Sequence, residues 1–369
     1  MFKYKYFYYF DKTITFTILA LLVLGLIFVF SSTYTQEAPI SIFFKKQLFG
    51  AITGIFIYIF FSVKNIEATK RYGFAAFFLT LIILAYTILK GFVAMGAKRW
   101  FSIYFFKFQP SELTKFLFPL FIAYYFCELK PIKIDALNRI VIKNFLFPLS
   151  ILFIIFILIL KQPDLGTALI ILLSGIILFW VIGINKKFII FSFIIVFISA
   201  PFLWTKLKPY QKQRILVLLG EGNIRKERYQ LEQSKIAIGS GGIFGKGLLK
   251  GTQNKLAFLP EARTDFIFSV ICEELGFFGA ILIFILFSIL FFKIIVIASQ
   301  LSNLAEQIIA IGLMLHILLS VCINIGMVTG ILPIVGIPLP LFSYGVTNLW
   351  ITMASLGVIN NISIRRFYY

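Results

Sequence analysis

Apolar residues in this chain fall in long uniform runs separated by short polar stretches, without the alternation of half-buried strands or the one-sided stripe of surface helices. Ten runs stand out: 13–32, 47–63, 72–90, 110–129, 143–160, 165–184, 187–204, 266–296, 307–329 and 343–361. A helix crosses a bilayer in about 17–25 residues, so each run is long enough. Inside lipid the backbone must satisfy its own hydrogen bonds, which leaves helices or a closed barrel, and the short alternating segments of a barrel are absent. The pattern predicts an all-α fold: a polytopic membrane protein of ten transmembrane helices, with residues 1–369 forming a single membrane domain. The first run follows MFKYKYFYYFDK, too long and aromatic for the start of a secretion signal, and no small-residue cleavage site follows it. It is expected to stay as a helix in a mature chain beginning near Met1.

Composition agrees, since 60% hydrophobic content and a mean hydropathy of +0.97 exclude a soluble domain. Charge then orients the bundle. With the N-terminus inside, the short cytoplasmic pieces carry fifteen Lys and Arg, including Lys64, Lys70, Arg139 and Arg365, against seven in the opposite short loops, among them Lys45, Lys98, Arg99 and Lys161. The bias predicts both termini in the cytoplasm and a large extracytoplasmic loop, 205–265, between helices 7 and 8. The formal charge of +20 reflects a chain rich in Lys, Ile and Phe, with cations facing anionic membrane lipids. No soluble segment interleaves aromatic and basic residues, so no nucleic acid partner is expected.

Cys127, Cys272 and Cys322 lie in apolar runs and read as packing residues, and a single histidine, His316, with no clustered cysteine excludes a zinc site. His316 reads as a hydrogen-bonded helix contact, with a proton relay as the alternative.

The one long polar, Gly-rich segment runs from Tyr229 to Glu274. It fails as a phosphate-binding P-loop, because Ser240 stands where the first Gly belongs and Gly247 where Ser or Thr belongs; the dinucleotide pattern fails at Phe244. A helix over Leu231–Ile238 stopped by Gly239–Gly242 is expected, in an ordered re-entrant or surface-lying element that covers Ile236, Ile238, Ile243, Phe244, Leu248 and Leu249.

Carboxylates beside or within the apolar runs are the other candidates for chemistry. Pro110 opens a helix in which Glu112 and Lys115 are i,i+3 neighbours, forming an internal ion pair or a charged cavity lining. Asp164 is an N-cap or a site residue. Thr264 and Asp265 open a run, where an acid gains from the helix dipole, so Asp265 is a helix starter or a catalytic acid. Glu273 and Glu274 lie one further step into the same run.

Six stretches then match a known pattern: GAKRWF (Gly96–Phe101), FQPSELTK (Phe108–Lys115), KQPDLGTA (Lys161–Ala168), AIGSGGIFGKGLLKGTQ through FLPEARTDFIF, EELG (Glu273–Gly276) and NIGMVTGILPIVGIPLPLFSYG (Asn324–Gly345). In this order they resemble the SEDS family (shape, elongation, division and sporulation), and the GMV and IPLP wording is nearer its rod-shape branch than its division paralogue. The resemblance implies a ten-helix membrane fold in the bacterial cytoplasmic (inner) membrane and a glycosyltransferase, active on the outer side, that polymerises lipid II into peptidoglycan.

It implies Asp265 as general base, taking the proton of a sugar hydroxyl that attacks an anomeric carbon and displaces undecaprenyl pyrophosphate. One such displacement inverts the anomeric centre; retention would need a second carboxylate as nucleophile. Lys115, Arg99, Lys98 and Lys246 are the candidates to stabilise the departing pyrophosphate. Glu112 and Asp164 are assigned to cavity architecture or substrate positioning, and Gln233, Ser234 and Glu261 to the substrate site or its cavity. Trp100 either stacks on a sugar or anchors a helix end.

Two places depart from the family pattern. Arg263 stands where histidine usually precedes Thr-Asp, which puts a histidine helper out of reach, and Val346, Thr347 and Asn348 stand where Gly-Ser-Ser is common, which weakens packing arguments drawn from the family near the last span. Implied partners are a class B penicillin-binding protein transpeptidase, other elongation-machinery proteins and membrane lipids. A divalent cation on the pyrophosphate is chemically reasonable, but the chain shows no dedicated ligand set, so the cofactor stays open. The other function classes are a lipid II flippase, expected to place ionisable groups at mid-span, and a scaffold indifferent to Asp265.

Overall fold

The computed structural model describes residues 10–37, 39–94, 97–103, 106–130, 143–184, 205, 209–218, 225–256 and 258–365. Its frame is helical: α1 (Lys12–Thr33), α2 (Ile42–Val63), α3 (Ile66–Lys90), α4 (Pro110–Tyr124), α5 (Lys143–Lys161), α6 (Leu165–Ile182), α7 (Pro209–Leu218), α8 (Arg225–Gly241), α9 (Thr252–Lys255), α10 (Ile267–Ser299), α11 (Leu304–Thr329) and α12 (Val346–Arg365). Nine of the ten predicted runs coincide with these helices, and the tenth, 187–204, lies outside the described residues. Seven helices among the described residues, α1, α2, α3, α5, α6, α10 and α11, are long and apolar enough to cross a membrane. The chain is a multi-pass membrane protein.

Helix ends follow the local sequence. Asp11, Ser41, Asn65, Asp164 and Asn303 cap α1, α2, α3, α6 and α11 by accepting from backbone N–H groups of the first turn. Pro110 opens α4, and a π-helical turn over Tyr125–Leu129 completes the predicted run. The core is Phe, Ile and Leu, with Phe77 stacked on Phe121 at 4.5 Å between ring centroids. Phe16, Phe56 and Leu89 face outward, as side chains solvated by lipid do.

Helices alone do not account for 92–108. Here β1 (Phe92–Ala94), β2 (Ala97–Ile103) and β3 (Phe106–Phe108) pair antiparallel in that order, with Phe92 opposite Trp100 and Phe101 opposite Phe108. The segment is rich in aromatic and β-branched residues and is closed off by Pro110, so the all-α expectation is corrected at this point.

In the Gly-rich segment α8 ends at Gly241 and Gly242 takes a positive φ of 56°, so the helix stops within Gly239–Gly242 as expected. What the reading did not contain is a break in α10, at Gly276 (φ 66°, ψ −156°). In an unbroken helix the N–H groups of Phe277 and Phe278 would donate to the carbonyls of Glu273 and Glu274. They donate to Gly242 and Ile243 at 2.9 and 3.3 Å, while Lys246 and Gly247 N–H groups donate to Glu273 and Glu274 at 3.0 and 2.9 Å. The loop thus takes up the hydrogen bonds that the break releases, as the interior of a membrane protein requires. A Cβ on Gly245 would lie 2.2 Å from the Glu274 carbonyl oxygen, so the glycines serve this close approach. Ile236, Ile243, Phe244 and Leu248 nevertheless stay exposed, contrary to the expected burial: the element is ordered, and its apolar side chains point away from the protein. Cys322 is also exposed, which corrects its reading as a packing residue, whereas Cys272 is buried.

Candidate active site

Asp265 sits in the turn between α9 and α10. It does not start the helix: α10 begins at Ile267, its N-cap is Phe266, and that cap makes no side-chain hydrogen bond. The turn is held by its backbone. Asn324 of α11 donates to the Asp265 carbonyl at 2.9 Å and to the Ile337 carbonyl at 2.7 Å, Ser343 donates its hydroxyl to the Thr264 carbonyl, and Tyr344 N–H donates to the Arg263 carbonyl at 2.9 Å. Arg263 lays its guanidinium over the Phe43 ring at 3.8 Å, so the position where the family has histidine carries a cation–π anchor.

The Asp265 carboxylate points toward Gly336, where an added Cβ would come within 3.4 Å of its Oδ2. It keeps part of its surface open and is packed by protein on its other sides. Burial of the charge pushes its pKa from 3.8 to about 6; Glu261 and Asp164 push the same way, and Arg214 and Arg99 oppose them. Glu261, at φ 53°, is half-buried and accepts from the Thr264 hydroxyl at 3.1 Å.

Asp164 is buried and does cap α6, accepting from Thr167 N–H at 3.3 Å. Its other oxygen accepts from Gln109 Nε2 at 2.8 Å, which ties α6 to the start of α4. Arg99, on β2, lies 3.8 Å from Asp164 and donates to the carbonyls of Gln162 and Pro163. The sheet thereby places a fixed cation beside the acids. Trp100 next to it is half-buried, and the side chain of Lys98 lies outside the described residues.

Deeper in the bundle, Glu112 and Lys115 form the expected ion pair at 2.7 Å, both buried. The second Glu112 oxygen accepts from Asn348 at 2.9 Å. The three departing residues are packed into the last span: Asn348 joins the pair, Thr347 is buried, and Val346 lies against Gly50. His316 makes the expected helix contact, facing the Ser355 hydroxyl at 3.4 Å.

Three candidates, Lys246, Ser234 and Gln233, are not part of this arrangement. Lys246 pairs with buried Glu273 at 2.7 Å, alongside Thr252, about two helical turns along α10 from Asp265. Ser234 is buried and hydrogen-bonds Ser269 and the Val328 carbonyl, fastening α8 to α10 and α11; Gln233 beside it is half-buried. Sequence reasoning also passed over Arg214, one of many cations in a long loop, and Asn324, whose signal was an amide inside an apolar run. Among the described residues no group of three or more His, Cys, Asp or Glu side chains is placed to hold a metal ion.

Comparison with known proteins fits this geometry. Peptidoglycan glycosyltransferase MrdB of Escherichia coli K12 is 35% identical over 296 residues, covering 79% of this chain and 77% of the relative. Stage V sporulation protein E of Bacillus subtilis is 34% identical over 93% of this chain and 94% of its own. Among solved structures, a chain of a peptidoglycan synthase complex that coordinates polymerization and crosslinking superposes with a TM-score of 0.81 at 24% identity, over 98% of this chain and 99% of that one. The rod shape determining protein RodA of Thermus thermophilus gives 0.72 at 23% identity, over 97% and 98%. The family model described as cell cycle protein FtsW/RodA/SpoVE matches residues 12–367. The chain belongs to this family, the SEDS family of shape, elongation, division and sporulation proteins.

Proposed function

We infer that this protein is a peptidoglycan glycosyltransferase that polymerises lipid II into glycan strands during cell elongation, with Asp265 as its general base. The observation that carries the role of Asp265 is its setting. It is a half-buried carboxylate with one open side and a proton affinity raised to about 6, and Arg214 and Arg99 lie within its electrostatic reach. A base of that strength is ionised near neutral pH and still accepts a proton as the reaction proceeds.

The acceptor sugar hydroxyl loses its proton to Asp265 as its oxygen bonds to the donor anomeric carbon. The bond from that carbon to the pyrophosphate oxygen breaks with its electron pair, so negative charge grows on the leaving group beside the arginines. A single displacement takes an α-linked donor to a β-linked strand. Arg99, fixed by Asp164 and the Gln162–Pro163 carbonyls, supplies standing positive potential, while Lys115 is committed to Glu112 and shapes the bundle interior.

The positive-inside count supports an active site on the outer face of the cytoplasmic membrane, both termini in the cytoplasm, and a tenth span over 187–204. A class B penicillin-binding protein transpeptidase is the proposed partner, since the similar solved chain belongs to a synthase complex that couples polymerization to crosslinking. The electrostatic grouping of Asp265, Asp164 and Arg99 at one end of the bundle supports transfer over flipping, which calls for ionisable groups along the span.

The test is glycan-strand formation from lipid II by the purified protein with its transpeptidase. Asp265→Ala and Asp265→Asn are expected to lose polymerisation while keeping the fold. Polymerisation by either variant at the wild-type rate would remove Asp265 from the chemistry.

A further inference from the structure

Gln47 stands in the second turn of α2 and is enclosed by protein, at 1% exposure. A buried amide in an apolar helix needs a partner at each end, and Gln47 finds both in one place. Its Nε2 donates to the Ser343 carbonyl at 3.2 Å, and its Oε1 accepts from Gly345 N–H at 3.1 Å. Because one end donates and the other accepts, a single orientation of the amide satisfies both bonds. Phe43, one turn earlier on the same face of α2, packs edge-on against Tyr344 at 5.4 Å and carries the Arg263 guanidinium on its ring. α2 thus grips three successive residues, Ser343, Tyr344 and Gly345, in the connection from α11 to α12.

The same residues hold the turn that bears Asp265. The Ser343 hydroxyl accepts from Leu339 N–H at 2.8 Å and donates to the Thr264 carbonyl, while Tyr344 N–H donates to the Arg263 carbonyl at 2.9 Å. The connection is also strained. Leu341 has φ 67°, a conformation that a residue with a side chain keeps only where its surroundings impose it. Its carbonyl oxygen abuts Gly25 of α1, where an added Cβ would overlap it. A strained segment relaxes when a restraint is removed, and here relaxation passes through one hydrogen bond to each of the two residues before Asp265.

Resting on the glycosyl-transfer reading, we propose that Gln47 is a positioning residue for Asp265. It acts through the backbone of Ser343 and Gly345, so that α2, more than 200 positions away in sequence, fixes where the base stands. A misplacement of about 1 Å at a reacting group costs about a hundredfold in rate, so the two hydrogen bonds of one distant amide bear directly on turnover.

The test measures lipid II polymerisation kinetics of the full chain with its transpeptidase, per folded complex, alongside thermal stability. Gln47→Met keeps the length of the side chain and removes both hydrogen bonds; kcat is expected to fall by about tenfold to a hundredfold with KM within about twofold of wild type. Gln47→Glu keeps the shape, and its protonated carboxyl can donate to the Ser343 carbonyl and accept from Gly345 N–H; once ionised it has no donor. Its rate relative to wild type should therefore be highest at acid pH and fall as pH rises, a dependence absent from Gln47→Met. Thr53→Val supplies the comparison for a merely structural contact, since it removes another α2–α12 hydrogen bond, from Trp350 at 2.8 Å, that does not lead to Asp265. It should lower the melting temperature and leave kcat unchanged. Phe43→Leu, which takes away the ring under Arg263 and beside Tyr344, should lower kcat too and serves if Gln47→Met fails to fold. A wild-type kcat in folded Gln47→Met, or in Phe43→Leu where the glutamine variant does not fold, overturns the assignment and leaves glycosyl transfer intact, as does a loss confined to KM. A wild-type complex that makes no glycan strands from lipid II overturns the reading on which the proposal rests.

Discussion

Asn348 donates a 2.9 Å hydrogen bond to the Glu112 oxygen that Lys115, 2.7 Å from the other oxygen, leaves unpaired. The carboxylate is thus held from α4 and from α12 at once. Removing the amide leaves a buried acceptor unsatisfied, which costs about 1–3 kcal/mol. Removing the lysine strands a buried charge, at about 3–5 kcal/mol. Asn348→Ala should therefore lower thermal stability in detergent, Lys115→Met should lower it more, and Glu112→Gln combined with Lys115→Met should be milder than Lys115→Met alone. Equal loss in the single lysine variant and the double variant would contradict the coupling.

The break in α10 gives a second prediction. Gly276 has a positive φ, and a Cβ there would fall 2.4 Å from Gly245 N and 2.6 Å from the Ile243 carbonyl oxygen. This φ/ψ combination is open essentially to glycine alone and costs a residue with a Cβ about 1–3 kcal/mol, to which the clash with backbone atoms adds. Gly276→Ala should abolish accumulation of folded protein. By contrast, Gly239→Ala lies in open space within α8 and should stabilise by about 0.5–1 kcal/mol. Similar yields of the two variants in membrane fractions would refute this account of the loop.

Lys246 separates architecture from chemistry. Its ammonium, together with the Thr252 hydroxyl and the N–H groups of Thr252 and Gln253, holds one oxygen of the buried Glu273. Lys246→Met should lower the melting temperature and leave KM for lipid II within about twofold of wild type, since no substrate contact is removed. A raised KM with unchanged stability would return Lys246 to the substrate site.

Helix positions were legible because lipid leaves the backbone few choices, and runs such as 13–32 or 307–329 carry that constraint in composition alone. The Glu112–Lys115 pair and the Asp164 cap were equally readable, since both are set by spacing within one helix. What escaped depends on contacts between distant segments. The stop of α8 within Gly239–Gly242 was readable from its glycines, whereas the break of α10 at Gly276, where loop and helix exchange hydrogen bonds across some thirty positions of sequence, was not. Asn348 read only as a departure from the family pattern until α12 placed it against α4. Lys246 shared its charge and loop with plausible phosphate ligands, and only its pairing with Glu273 distinguishes it.

The raised pKa of Asp265 sets opposite pH dependences for activity and stability. As a base it must be ionised, so polymerisation should rise as pH increases through about 6, set by its pKa in the free enzyme. For stability, the carboxyl titrates near 3.8 in the unfolded chain and near 6 in the folded one, so the folded state holds this proton more tightly. Below pH 3.8 its contribution is fully present; between 3.8 and 6 it is progressively lost; above 6 the folded state carries the whole cost of a partly desolvated charge. Asp265→Asn removes that titration and keeps the shape. Thermal melts of the wild type and this variant, compared from pH 4 to pH 8, should show the variant gaining relative stability as pH rises and levelling off above about 6. Other carboxylates titrate in both proteins and cancel in the difference. A difference that stays flat across this range would mean that Asp265 keeps an ordinary pKa, and the argument for a tuned base at this position would fall with it.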